Sequence, residues 1–571
     1  MFLILLILLK LLSVNARIVE TPGIVSTLTE PISTDRGIVF GEILKTAGRF
    51  LPYASFKGIP FAKPPIKALR FKPPVDIDLW EKPLYALSDD SLMCIQLDEN
   101  KRDVVGSEDC LYLNVYTPHT SFGGKSKAVM VWIHGGAFNA GNSNSTRYGP
   151  DFFMEEDVVL VTVNYRLGPF GFLNFNHENA TGNAGLKDQN LALKWVQRNI
   201  HLFGGDPNRV TIFGKDAGAV AVDLHLISDM SVGLFQKSIA MGGSPLCFWW
   251  GFQNTTEAEN NVYLLVRKFG VNKSDKSAIM KILQKIPADQ IMKATLRLNS
   301  EIPFRPTIEN VRIAKNQDKF ITECPLRKFQ RGNHTKGPHM LGFSSSDLES
   351  FVKEGYIDLG HMIDNSFEYM KNLPNSAGVM RLVRGIHAKT VDKDTLTKVA
   401  NDLFFTTGID VQQKLITAGN EGRAVFYYNF FPNSEGMESS FESESDYLFY
   451  RTSTKIREAE TSSNFTIIRK NIVRMWANFA KYGSPTPLIL NDDLLKINWS
   501  SSGGLGIGLD IGSDLQIRYT RPTNPRINYL QKNGYERYNF EGECRSGVST
   551  SARVSEADIN DFEPISKAYS G

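Results

Sequence analysis

The chain has 571 residues, of which 42% are hydrophobic, 22% charged and 11% aromatic. These are globular proportions, and they exclude a disordered chain, a collagen and a polytopic membrane protein. With 64 Lys and Arg against 61 Asp and Glu, the net charge of +3 gives no overall electrostatic reason to expect nucleic acid or acidic substrates as partners.

The first element in chain order is an apolar run, Met1 to Leu12, broken only by Lys10. It is too short to span a bilayer comfortably. Small residues around Val14-Asn15-Ala16 follow, so residues 1–16 read as a signal peptide cut after Ala16. No later stretch offers a membrane span, and the C-terminal end has no hydrophobic tail for a lipid anchor. The expected product is secreted and extracellular. Seven Asn-x-Ser/Thr sequons, at Asn144, Asn179, Asn254, Asn272, Asn333, Asn464 and Asn498, are glycosylation candidates wherever they are exposed.

Export makes disulfides plausible for the five cysteines. Cys94 and Cys110 enclose a polar loop whose closure would contribute roughly 3 kcal/mol in the chain-entropy model. Cys247, Cys324 and Cys544 remain, so at least one is unpaired or pairs with another chain.

Further along, strand and helix signals alternate. Ala128 to Ile133 is an apolar strand ending at His134-Gly135-Gly136, and Val158 to Tyr165 is a second, rich in β-branched residues. Leu186 to Ile200 has helical spacing, with Leu191, Trp195 and Ile200 on one stripe. Val210 to Phe213 is a strand that ends at Gly214, and a helix runs from Ala217 to Ile227. Buried strands alternating with helices predict an α/β fold with a large, mainly parallel central sheet covered on both faces. No break is visible, so residues 17–544 read as one domain and 545–571 as a flexible tail.

The segment Gly214-Lys215-Asp216-Ala217-Gly218 places glycines on both sides of a strand-to-helix turn. That is the pattern of a nucleophile elbow, G-x-S-x-G, with Asp at the centre. Upstream, His134-Gly135-Gly136-Ala137-Phe138 follows a strand as an oxyanion loop does. Further motifs follow in order: Phe56-Lys57-Gly58-Ile59-Pro60, Ser107-Glu108-Asp109-Cys110, Val163-Asn164-Tyr165-Arg166, Gly182-Asn183-Ala184-Gly185, Phe203-Gly204-Gly205-Asp206-Pro207 and Met475-Trp476-Ala477-Asn478-Phe479. Together they resemble the type-B carboxylesterase/cholinesterase family nearly end to end.

The resemblance implies a single-domain α/β-hydrolase fold with a deep gorge, and a Cys94–Cys110 disulfide. It implies acyl transfer by Ser, His and a carboxylate, and no cofactor or metal. Matched residue by residue, the family's Ser falls on Asp216, its acid on Asp347 and its His near Phe441. No histidine follows His387. Two of the three catalytic roles are therefore vacant. Dismantling such a triad in another hydrolase cost about six orders of magnitude in turnover. Lys215, where the family usually has Glu, and Gly242, usually Ser, are further departures. The backbone N–H groups of Gly136, Ala137 and Ala217 would remain as oxyanion donors, and the Asp216 carboxylate is expected to fill part of that hole, at a helix N-terminus.

The reading is a secreted carboxylesterase-like protein without catalysis, resembling the family's non-enzymatic adhesion members. Its partner would be a protein or a small apolar ligand, with aromatics such as Phe248-Trp249-Trp250 available to a gorge. The alternative is a hydrolase, acting on esters through another Ser or on other substrates through Asp216 as nucleophile. An Asp nucleophile would still need a His to release its ester intermediate.

Overall fold

The computed structural model describes residues 18–21, 24–89, 92–98, 103–122, 124–247, 250–298, 302–313, 317–349, 393–432, 443–451, 463–490, 492–521, 527–528 and 531. The signal segment 1–16, Phe441 and the tail 545–571 lie outside them.

Among the described residues the central sheet has thirteen strands. In chain order they are β1 (Ile18–Thr21), β2 (Ile24–Leu28), β3 (Glu42–Lys45), β4 (Pro52–Pro60), β5 (Tyr112–Thr117), β6 (Lys127–Ile133), β7 (Val159–Val163), β8 (Gly205–Lys215), β9 (Lys237–Met241), β10 (His339–Ser344), β11 (Val425–Phe430), β12 (Gly508–Ile511) and β13 (Leu515–Arg518). Their spatial order is β1-β2-β3-β4-β5-β7-β6-β8-β9-β10-β11-β12-β13. The seven strands from β7 to β12 in that order are mutually parallel. The N-terminal strands and β13 add antiparallel edges. This is the expected α/β-hydrolase sheet, parallel where it carries the helices.

Both faces of the parallel strands are buried, which is why their sequences are continuous apolar runs. On β6, Val129, Val131 and Ile133 enter one core with Leu191 and Trp195. Ala128, Met130 and Trp132 enter a second core with Phe465, Trp476 and Phe479. Successive side chains point to opposite faces, so one strand serves two cores. The first core is capped by α1 (Ala184–Asn199) and α2 (Ala217–Ile227), and the second by α3 (Ser463–Tyr482).

Several boundaries differ from the sequence expectation. The strand expected over Val210 to Phe213 runs from Gly205 to Lys215, because it continues into the polar Asp206-Pro207-Asn208-Arg209 segment. The helix expected from Leu186 begins at Ala184, after Asn183 in a left-handed conformation.

The Cys94–Cys110 disulfide is formed. Cys247 is free and buried, and Cys324 is disulfide-bonded. No helix among the described residues is long and apolar enough to cross a membrane.

Candidate active site

The parallel strands deliver their C-terminal ends to one edge of the sheet, where ligands of such folds bind. Ile133 of β6 pairs with Gly214 of β8, and Lys215 of β8 pairs with Met241 of β9. Asp216 follows with φ 55° and ψ −120°, and α2 begins at Ala217. A non-glycine residue held there stores about 1–3 kcal/mol of backbone strain. The flanking glycines explain how the turn closes. A β-carbon on Gly218 would lie 2.1 Å from the Ile133 carbonyl oxygen, and one on Gly214 would lie 2.5 Å from the Gly218 backbone. The Asp216 N–H donates to the Met241 carbonyl at 2.9 Å, and its own carbonyl accepts from Val220 at 3.0 Å.

The loop after β6 supplies the complementary surface. Gly136, Ala137 and Phe138 have φ of 115°, 52° and 61°. Consecutive positive φ values turn successive N–H groups to one side, which makes an anion nest. Gly136 N–H donates to Asp216 Oδ2 at 2.7 Å and Ala137 N–H to the same oxygen at 3.0 Å. A side chain on Gly135 would crowd this arrangement, since its β-carbon would lie 3.0 Å from that oxygen. Thus one carboxylate oxygen at the elbow occupies the position where two backbone donors converge. Ala217, the third expected donor, is the first residue of α2.

Lys215 turns away from the loop into a carboxylate pair. Its Nζ donates to Asp347 Oδ1 at 2.5 Å and to Glu444 Oε2 at 2.7 Å. Asp347 lies three residues beyond β10 and also accepts from the Ser344 N–H at 2.7 Å. Glu444 begins the short helix α4 (Glu444–Leu448) and accepts from the Tyr428 hydroxyl at 3.1 Å. All three charged groups are buried. Burial pushes the Asp347 carboxyl up to about 6; Lys215 opposes this and the negative charge of Glu444 adds to it. Burial alone would lower the Lys215 ammonium, but the two carboxylates outweigh it and hold it well above its usual value.

Gly242 makes the cluster possible. It has φ 57°, and a β-carbon there would sit 2.4 Å from Asp347 Oδ1 and 2.8 Å from Lys215 Nζ. The Lys and Gly departures seen in the sequence are therefore two halves of one contact.

A cavity lies above these groups, lined by Trp132, Gly135, Gly136, Arg147, Tyr148, Lys215, Asp216, Gly242, Asp347, Phe405 and Ser445. It leaves ≈ 20 Å³ for the centre of a water-sized solute. That is room for about one or two water molecules rather than an ester. No histidine is among these described lining residues. His134 belongs to the glycine loop and stacks on Tyr165, with ring centroids 4.3 Å apart. His225 is buried on α2, its ring contacting Ser231 at 2.8 Å and Gln189 at 3.1 Å. Burial lowers His134 to about 4 and His225 to about 3.

Of the sequence-predicted residues, Asp216, Gly136, Ala137, Ala217 and Asp347 are brought together at one strand edge. Phe441 lies outside the described residues, as do Phe248 and Trp249. Trp250 is fully buried and its indole N–H donates to the Phe404 carbonyl at 2.8 Å. Glu444 was missed by sequence reasoning. Its one signal was its place three residues after the position matched to the family's His. Asn272, Asn333 and Asn498 are exposed, whereas Asn144, Asn179, Asn254 and Asn464 are half-buried.

Comparison with known proteins agrees with this architecture. The pattern of the carboxylesterase family matches residues 29–505. The chain is 34% identical over 522 residues to juvenile hormone esterase of Tribolium castaneum, covering 82% of this chain and 85% of that one. It is 35% identical over 344 residues to venom carboxylesterase-6 of Apis mellifera, covering 59% of this chain and 58% of the relative. It is 32% identical over 493 residues to cholinesterase of Mus musculus, covering 80% and 79%. A thirteen-stranded sheet with an elbow at the end of β8, a nest of backbone donors facing it, and a match over most of its length mean that the chain belongs to the carboxylesterase family.

Proposed function

We propose that this chain is a secreted, non-catalytic member of the family that acts by binding, as an adhesion-type protein does. The observation that carries this reading is the pair of bonds from Gly136 and Ala137 to Asp216 Oδ2. In an esterase the converging donors must be open to the oxygen of the substrate carbonyl. Here a side chain of the protein fills that position. A carboxylate also offers no hydroxyl to be activated, and the family's His position carries Phe441. Asp347, which would orient that His, is engaged by Lys215 instead.

The same bonds weigh against Asp216 as a nucleophile. An attacking carboxylate seated among the donors would block the place where the developing oxyanion needs them. Export is supported by the N-terminal segment and the sequons, and is tested by recovery of the processed chain from culture medium.

The functional test uses the purified exported protein with an organophosphate probe, a panel of p-nitrophenyl esters and an epoxide. The expected result is no labelling and no turnover above bulk protein. Turnover that disappears in Asp216→Asn would overturn the reading in favour of an Asp-nucleophile hydrolase. Labelling of a serine would overturn it in favour of an esterase.

A further inference from the structure

The chain is almost neutral overall, yet one segment is not. Residues 264–297 contain eight Lys or Arg against two acids, Asp275 and Asp289. Their net +6 exceeds the +3 of the whole chain, so the remainder is net acidic. The excess lies at the ends of three consecutive helices, Thr255–Arg267, Lys276–Leu283 and Ala288–Thr295, and in the segments between and after them; the first helix also carries Glu257 and Glu259. Each buries an apolar stripe in the same core, through Val262 and Leu265, Ile279 and Leu283, and Ile291 and Met292. The opposite side of each is exposed; Thr255–Arg267 touches Ala288–Thr295, and both Thr255–Arg267 and Lys276–Leu283 pack on the strand Asn174–His177, which makes them neighbours.

Lys276 is engaged, with its Nζ 2.7 Å from Glu259. The other seven cations are exposed, and no ion pair joins any of them to an acid among the described residues. Basic residues in the last turn of a helix complement its dipole. That accounts for Arg267, Lys281 and Lys293, one per helix. It does not account for Lys268, Lys273, Lys285 and Arg297, which lie beyond the helix ends. The corner that presents Lys285 is fixed from beneath. The Arg70 guanidinium donates to the Leu283 carbonyl at 3.0 Å and the Ile286 carbonyl at 2.7 Å.

We propose that this basic segment is a docking surface for a sulfated polysaccharide chain, gripped by exposed Lys and Arg at the ends of three helices and in the segments that join them. A surface of one sign raises the local concentration of an oppositely charged polymer and binds it by releasing counterions. The face suits a polysaccharide better than single-stranded nucleic acid, because no aromatic side chain is exposed there to stack on bases. Leu296 is the one large apolar residue exposed on these helices among the described residues, so an inserted membrane anchor is not built here. The inference deepens the binding-protein reading, and the choice of an extracellular polymer rests on export.

The test measures binding of the full exported chain to immobilised heparin across a salt series, with chondroitin sulfate, single-stranded DNA and anionic phosphatidylserine vesicles as competitors. Heparin binding should weaken steeply with salt. Reversing Lys281, Lys285 and Lys293 to Glu should reduce it at least about tenfold at physiological salt. Reversing Lys45, Lys82 and Lys125, which are exposed elsewhere, changes net charge equally and should reduce it less than about twofold. Matched thermal midpoints of the two triple variants show that both are folded. No binding at physiological salt, equal losses in the two variants, or competition by DNA or vesicles as strong as by heparin would each overturn the proposal. Esterase turnover with a heparin-binding face intact would sink the non-catalytic reading and leave this surface standing. The reverse outcome would do the opposite.

Discussion

The ammonium of Lys215 lies 2.5 Å from the carboxylate of Asp347, a residue 132 positions away in the chain. The second carboxylate on that ammonium, Glu444, is 229 positions away. One side chain thus ties together the end of β8, the turn after β10 and the start of α4. The cluster has one positive and two negative charges in a buried setting, and its stability depends on all three.

Removing the cation leaves two buried carboxylates facing each other. Lys215→Met is expected to destabilise the fold by about 3–5 kcal/mol, as breaking a buried ion pair from one side does. The triple variant Lys215→Met, Asp347→Asn, Glu444→Gln should recover most of that loss, because no uncompensated charge remains. Urea denaturation of the single and triple variants measures both. Equal destabilisation in the two would show that packing, not charge, is what Lys215 supplies.

Acid acts on this protein through groups of opposite sign. His134, His225, His334 and His339 are lowered by burial to about 4, 3, 4 and 3. Their unfolded forms bind protons near pH 6.5, so stability should fall as pH drops below that value, by up to about 1.4 kcal/mol per pH unit for each group. Asp347 works the other way. Its folded value, about 6, is above the unfolded one, so its contribution is full at low pH and is lost as pH rises through 6. Wild type should lose stability on going from pH 7 to pH 5, and Asp347→Asn should lose more. Denaturant midpoints at the two pH values give the difference, and an Asp347→Asn loss equal to or smaller than wild type would contradict the assignment.

The elbow has no room for side chains at its flanks. Gly218→Ala places a methyl 2.1 Å from the Ile133 carbonyl, and a loss of about 3 kcal/mol or more is expected from forced displacement of β6. Gly233 provides the contrast, since nothing lies within 4 Å of an added β-carbon although its φ is 81°. Gly233→Ala should cost only about 1 kcal/mol of backbone strain. Thermal midpoints of the two variants check the ranking.

Carbohydrate should be distributed unevenly over the seven sequons. Asn272, Asn333 and Asn498 are exposed and should be occupied in the exported protein. Asn254 is half-buried and caps a helix, its side-chain oxygen accepting from Glu257 N–H at 2.8 Å. Asn144 donates through its amide to the Asp89 carbonyl at 3.3 Å. Glycopeptide mass spectrometry should find these two sites largely unmodified.

The backbone part of the site was legible in the sequence, because local glycines dictate it. Gly214 and Gly218 announced the elbow, and His134-Gly135-Gly136 announced the donor loop. The occupation of that loop by Asp216 followed from charge and position. The Lys215 cluster was not legible, although Lys215 and Gly242 were both noticed as departures. Nothing local in a sequence shows that residues 215, 242, 347 and 444 meet, since the sheet alone brings them together. Strand length was underestimated at β8 for a different reason. Asp206 to Arg209 are polar and partly exposed, so periodicity sees only the buried end of that strand.

Gly242 couples the cluster to a position that carries no charge of its own. Any β-carbon there would overlap both the Lys215 ammonium and the Asp347 carboxylate. Both groups are side-chain ends, so they could make room for it only by lengthening the Lys215–Asp347 contact, while the contact with Glu444 is not among those met. A larger residue at 242 and the short Lys215–Asp347 contact therefore exclude each other in this geometry.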